Sequence, residues 1–108
     1  MPVTLRTWAG RSSFVYDGSV VNGTEIGYGE NYRWRMTISR DKYKALLRHF
    51  KNRIVDIGTS RTNPPKSSLG AWLQNNVTMT ATASYVGPIL VHEGYARRVP
   101  EPSKIHIL

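Results

Sequence analysis

The feature that most constrains the fold is a change in hydrophobic period in the middle of the chain, within "RWRMTISRDKYKALLRHFKNR". The first residues alternate, so Trp34 shares one side of a predicted strand with Met36 and Ile38 and is expected in the core. Ser39 follows with the properties of a helix N-cap, and helical spacing continues over residues 40–52. The buried stripe of this helix is predicted to be Tyr43, Leu46, Leu47 and Phe50. A strand is therefore predicted to lead directly into a helix.

The first third of the chain predicts a β-meander. "VTLRTW" alternates, and two turn dipeptides divide the short β-prone runs that follow it. Asp17-Gly18 and Asn22-Gly23 both supply the positive φ angles of tight hairpin turns at little steric cost. Two consecutive hairpin connections are therefore expected.

The part of the chain after the helix predicts a strand, a loop and a second helix. "IVDIG" is a short apolar run, and the polar stretch 59–68 contains Pro64-Pro65, which excludes a helix or a central strand. A second helix is expected to begin with Ser67 or Ser68 as its cap. Its buried residues are predicted to be Leu69, Trp72, Leu73 and Val77.

The last third predicts a hairpin and a terminal strand. "VTMTATASYV" alternates, Gly87-Pro88 is typical of a turn, and "ILVHEGYARRV" is the expected return strand with a bulge at Gly94. The terminal "KIHIL" needs either a sheet edge or a partner chain to pair with. The predicted fold is a single α+β domain over residues 1–108, in which two helices accompany a small, mainly antiparallel sheet made of a β-meander, a β-α-β unit and a C-terminal hairpin.

Composition excludes several classes of protein. The chain is 40% hydrophobic and has no cysteine, so disulfides and thiolate metal sites are excluded. The N-terminal segment lacks the apolar core of a signal peptide, and no apolar run approaches a membrane span. A cytoplasmic chain that does not associate with a membrane is therefore expected. No cofactor or metal ion is predicted.

The positive charge is concentrated in one third of the chain. The net charge is +8, and residues 33–66 account for all of it with ten Lys or Arg against two Asp. At 100° per residue, one helix flank carries Arg40, Lys44, Arg48 and Lys51 without an intervening Glu. Like charges at this spacing repel by a few tenths of a kcal/mol per pair. This uncompensated cost predicts an external polyanion, nucleic acid above all, against the alternative of an idle basic surface.

The predicted nucleic-acid interface combines a strand, a helix and a loop. The loop offers hydroxyl groups and free helix N–H groups that suit a phosphate, although it is not a P-loop. Tyrosines near the Lys and Arg residues, Tyr28 among them, are candidates for stacking on unpaired nucleobases. The candidate binding residues are Arg33, Arg35, Arg40, Lys44, Arg48, Lys51, Arg61, Lys66, Tyr32, Tyr95, Arg97 and Arg98.

Two other functions remain open at this stage. His92 and Glu93 on the predicted return strand could supply the acid and base of a metal-free ribonuclease, whereas the three histidines lack zinc-ligand spacing. Alternatively, the terminal strand could join a second copy of the chain in an assembly module. The stretch from "NPPKSSLGAWL" to "VHEGYARRV" faintly resembles phage tail-completion proteins. It lacks their Thr-Gly before the helix and their acidic end after Tyr-Ala.

Overall fold

The alternating residues of the first third form a four-stranded antiparallel meander. The computed structural model describes residues 2–108. Its first sheet has the order β1-β2-β3-β4, so β4 lies at an edge. The strands are β1 (Val3–Arg6), β2 (Ser13–Ser19), β3 (Gly23–Tyr28) and β4 (Trp34–Ser39), and a 3₁₀ turn at Glu30–Tyr32 lies between β3 and β4. A β-meander is therefore present in the first third of the chain, as the sequence predicts.

Only one of the two predicted hairpin turns is present. β2 continues through Asp17 and Gly18, which pair with Glu25 and Thr24 of β3. Gly18 has a φ of 90°, and a Cβ there would collide with the carbonyl oxygen of Gly23. The glycine therefore permits close approach of the two strands rather than a turn, and the chain reverses at residues 20–22 instead.

The central strand-to-helix transition is confirmed. Helix α1 (Arg40–Phe50) begins after Ser39, whose Oγ accepts a hydrogen bond from the Lys42 N–H at 3.3 Å. The predicted stripe faces the core, with three residues buried and Leu47 half-buried. The helix ends two residues earlier than expected, since Asn52 takes a φ of 62° before the next strand.

A second, three-stranded antiparallel sheet is formed by residues far apart in the sequence. Its strands are β5 (Arg53–Asp56), β6 (Ala96–Arg98) and β7 (Lys104–Ile107), in the order β5-β7-β6. The terminal strand β7 pairs on both sides within its own chain. The hypothesis of a homo-oligomer through this strand therefore loses its physical basis, which was a free edge.

Helix α2 (Leu69–Asn76) follows the predicted loop and has Ser68 as its cap. The Ser68 Oγ accepts a hydrogen bond from the Ala71 N–H at 3.0 Å. Gly70 packs directly on the backbone of Gly58, and its N–H donates to the Ile57 carbonyl at 2.9 Å. This contact fixes the start of α2 against the end of β5.

The predicted hairpin at residues 77–99 is wrong. Residues Ala83–His92 form a third helix, α3, and the C-terminal antiparallel pair consists of β6 and β7 instead. Helix α3 is buried at most positions, including the whole segment 86–90. A helix buried on nearly all sides has no polar face, and so its hydrophobic pattern does not show the helical period.

Pro88 lies inside α3, where the sequence predicts a turn. Proline has no N–H to donate to the carbonyl four residues earlier. That carbonyl belongs to Ser84, and it accepts a hydrogen bond at 3.0 Å from the backbone N–H of Trp8. Gly87 lets Trp8 and Ile57 approach closely, while Gly94, with a φ of 86°, ends the helix instead of forming a bulge. Tertiary contacts therefore compensate for a residue that usually interrupts a helix.

One cluster of buried residues joins both sheets and the three helices. It includes Phe14 and Ile26 of the first sheet, Ile105 of the second, Leu46 of α1 and Ile89 of α3. The predicted α+β class is therefore confirmed. Within the part of the chain that the structure describes, no helix has the length and apolarity to span a membrane.

Candidate nucleic-acid interface

The basic flank of α1, defined as Arg40, Lys44, Arg48 and the C-cap residue Lys51, lines two adjoining grooves. Arg40 and Lys44 line the first groove, whose volume is about 340 Å³. Arg48 and Lys51 line the second, also of about 340 Å³. The two grooves share Tyr95, so the four basic residues and this tyrosine belong to one continuous surface.

The basic flank is almost free of neutralising carboxylates. Among residues 2–108, Lys44, Arg48 and Lys51 have no carboxylate oxygen within 4 Å of their charged nitrogens. Arg40 forms an ion pair with Asp41 at 4.0 Å, and both side chains are largely exposed. An exposed pair at this distance contributes little. The four charges are thus available to an external anion.

Tyr95 and Leu47 contribute the apolar part of this surface. Leu47 also lines both grooves, and the exposed Val21 lies in the first of them. Tyr95 is half-buried, and its backbone N–H is held by the Leu90 carbonyl at the end of α3. Among the described residues, no Asp or Glu side chain lines either groove. The combination offers cations for phosphates beside an aromatic ring for a base or sugar.

Three other basic residues of the predicted interface lie outside these two grooves. Lys66 lines a cavity with His49, which lies on the opposite flank of α1, and with Arg53, the first residue of β5. Arg61 lines a further cavity with Trp34. Arg35 forms an exposed ion pair with Glu25 at 3.6 Å. The single strand-helix-loop surface of the sequence interpretation is therefore divided among several places.

The remaining predicted residues are tied to neighbours within the chain. Arg98 lies over the Trp8 ring, 3.9 Å from its centroid, and donates to the Trp8 carbonyl at 3.2 Å. The Arg97 Nε donates to His106 Nδ1 at 3.3 Å. The Tyr32 hydroxyl hydrogen-bonds Ser13 Oγ at 2.8 Å. Arg33 lies 5.5 Å from the Trp34 ring centroid. None of these four lines the two grooves of the basic flank.

The predicted ribonuclease strand does not exist. His92 is the last residue of α3 and Glu93 is its C-cap, so the two do not lie on a strand. Glu93 accepts hydrogen bonds from the Tyr16 hydroxyl at 2.6 Å and from the Val20 N–H at 2.9 Å. Burial, together with this bond to Glu93, raises the pKa of Tyr16, so the phenol stays protonated and donates. Glu93 therefore connects α3 to the β2–β3 turn.

Replacing Glu93 by alanine is expected to lower the free energy of unfolding by about 3 kcal/mol, because two donors lose a charged acceptor. Glu101→Ala is the matched control, since that carboxylate is exposed and only approaches Lys104, at 3.8 Å. Its effect is expected to stay below about 1 kcal/mol. Urea unfolding of both variants measures the difference. Equal effects would show that Glu93 does not hold α3 to the turn.

Trp34 is exposed, contrary to the prediction that it lies in the core. Its side chain is on the inner face of the first sheet, as alternation requires, but exposure along β4 rises from 1% at Ile38 to 57% at Trp34. The covering elements end before this position is reached. Trp34 instead lines a cavity of about 520 Å³ with Tyr28 and Tyr85. The sequence analysis names Tyr28 and Arg61, which both line this cavity, but it does not bring them together and it assigns Trp34 to the core.

Within residues 2–108, no group of three or more His, Asp or Glu side chains is arranged to hold a metal ion. No protein-family model matches the chain, and no curated protein or solved structure shows significant similarity to it. The geometry of the side chains is therefore the basis for assigning a function.

Proposed function

We propose that this protein is a small, basic, cytoplasmic nucleic-acid-binding domain without catalytic activity, and that the basic flank of α1 contacts the phosphates. The observation that carries the proposal is the row of four exposed basic residues along two adjoining grooves, which no Asp or Glu of residues 2–108 lines. Phosphate contacts of this kind provide affinity and orientation rather than sequence preference.

The length of the basic flank suits several consecutive phosphates. From Arg40 to Lys51 the helix axis rises by about 17 Å at 1.5 Å per residue. One strand of B-DNA presents a phosphate about every 3.4 Å along its axis, so the flank extends over about five of them. The two arginines bind phosphate through a planar pair of donors, and the two lysines act as flexible point charges.

The repulsion among the charges of the basic flank in the free protein also favours an anionic partner. Arg40, Lys44 and Arg48 follow one another at i,i+4 spacing, and each such pair of like charges destabilises a helix by a few tenths of a kcal/mol. An anionic partner removes this repulsion. An idle surface would not need the apolar groove beside the charges, where Tyr95 and Leu47 are kept partly exposed.

A salt series with labelled oligonucleotides tests the proposal. If four phosphates are neutralised, the logarithm of the association constant should fall against the logarithm of salt concentration with a slope of about −3.6 for duplex DNA and about −2.8 for a single strand. Fluorescence anisotropy measures both. Undetectable binding at low salt, or affinity that does not change with salt, would contradict the proposed function.

A further inference from the structure

The cavity of about 520 Å³ at the open end of the first sheet is separate from the basic flank. Tyr28 and Trp34 form the last residue pair between β3 and β4. Directly opposite residues of antiparallel strands have their side chains on the same face, about 5 Å apart at Cβ. The two side chains therefore project from the same, inner face of the sheet, where Tyr85 of α3 also reaches the cavity.

A third ring extends this aromatic surface. The Tyr85 ring lies 5.1 Å from the Tyr28 ring and is tilted by 35° to it. On its other side, Tyr85 contacts the buried Phe14 edge-on at 5.2 Å. Tyr85 and Tyr28 are thus half-buried and held in place, whereas 57% of Trp34 is exposed. The cavity has a fixed aromatic wall and one ring open to a planar ligand.

Polar groups also line the cavity. Arg61 lines it, and the backbone of this residue is anchored because its carbonyl accepts a hydrogen bond from Gln74 Nε2 at 3.0 Å. Thr59, Thr80 and Ser84 add hydroxyl groups that donate or accept hydrogen bonds. In the part of the chain that the structure describes, no carboxylate side chain lines the cavity, so it presents positive charge beside flat rings.

We propose that this cavity receives an unpaired base of a single-stranded nucleic acid, with the base against Trp34, the adjoining phosphate at Arg61 and the hydroxyls on the edge of the base. The inference rests on the proposed function, since it names which kind of nucleic acid the domain prefers. The volume lies within the roughly 300–1,000 Å³ of small-molecule sites. A paired base remains stacked inside its duplex and enters such a cavity only after extrusion.

Alanine variants of Trp34 and Arg61 test the inference on two probes, a 12-nucleotide oligothymidylate and a 12-base-pair duplex. Each variant is expected to weaken binding of the single strand about tenfold, because stacking on one aromatic residue or one phosphate contact is lost. Neither should change the affinity for the duplex. Trp72→Phe is the matched control, since Trp72 lines a different cavity, and it should leave both affinities unchanged.

Tryptophan fluorescence gives an independent readout. Stacking of a base on an indole quenches its emission, and Trp8 is 6% exposed and covered by Arg98. Oligothymidylate should therefore quench the wild-type protein and Trp72→Phe, but not Trp34→Phe. Arg61 lies in an exposed loop, so Arg61→Ala is expected to fold. Its effect on single-strand affinity tests the inference even if a Trp34 variant unfolds.

The outcomes separate this inference from the proposed function. Unchanged single-strand affinity in both alanine variants, with salt-dependent binding retained, would overturn the base cavity and leave the basic flank in place. Absence of salt-dependent binding of either probe to the wild-type protein would overturn the proposed function and this inference with it.

Discussion

Replacing Lys44, Arg48 and Lys51 of the basic flank by alanine is expected to lower the affinity for an oligonucleotide by two to three orders of magnitude at about 0.1 M salt. Each phosphate contact contributes nearly one logarithmic unit of affinity between about 1 M and 0.1 M salt, because it releases condensed counterions. All three side chains are exposed, and alanine is the best helix former. The variant should therefore fold with unchanged or slightly higher stability.

A matched variant separates a local surface from net charge. Arg11→Ala, Lys42→Ala and Arg53→Ala together also remove three charges, but from exposed positions that do not line the two grooves. Affinity should fall by less than about tenfold in this control, since only the long-range field changes. Equal losses in the two triple variants would mean that the partner responds to total charge and not to the flank of α1.

Gly70→Ala is expected to destabilise the protein by more than about 3 kcal/mol. Helix propensity alone predicts the opposite sign, because alanine is favoured over glycine by about 1 kcal/mol inside a helix. However, a Cβ at Gly70 would overlap the carbonyl group of Gly58, which is backbone and cannot rotate away. The hydrogen bond from Gly70 N–H to Ile57 holds the two segments together, so relief of the overlap requires moving α2.

Thermal or urea unfolding of Gly70→Ala beside Gly10→Ala provides the comparison. A Cβ at Gly10 meets no atom within 4 Å, and only its φ of 75° opposes the substitution. That control should cost about 1–2 kcal/mol. If Gly70→Ala is as stable as the wild-type protein, the close packing of α2 on the end of β5 is wrong.

The sequence correctly predicts the strands and helices that bury one face and expose the other, because their apolar residues then recur with the period of a strand or a helix. The β-meander and α1 each bury one face and expose the other, so alternation and the stripe from Tyr43 to Phe50 identify them correctly. Ser39 marks the boundary because its cap needs only local backbone groups. Helix α3 was not predictable in this way, since Gly87 and Pro88 are accommodated by Trp8 and Ile57, which are distant in the sequence.

In the candidate site, too, the features that depend on local pattern were predictable and those that depend on distant parts of the chain were not. The grouping of Arg40, Lys44, Arg48 and Lys51 on one flank is predicted by the 100° turn per residue of a helix, and in the structure these four basic residues line one surface. Tyr95 joins them only because α3 returns the chain to α1, and Lys66 and Arg61 are directed to other cavities by the loop that carries them. Trp34 shows the limit of alternation, which gives the face of a strand but not where the covering layer ends.

The most direct test of the central claim is the difference in salt slope between the wild-type protein and the Lys44, Arg48 and Lys51 triple variant on one duplex. We expect the variant's slope to be less steep by about 2.7, which is three contacts at about 0.9 each. Parallel salt dependences for the two proteins would contradict the claim that this helix flank binds the phosphates.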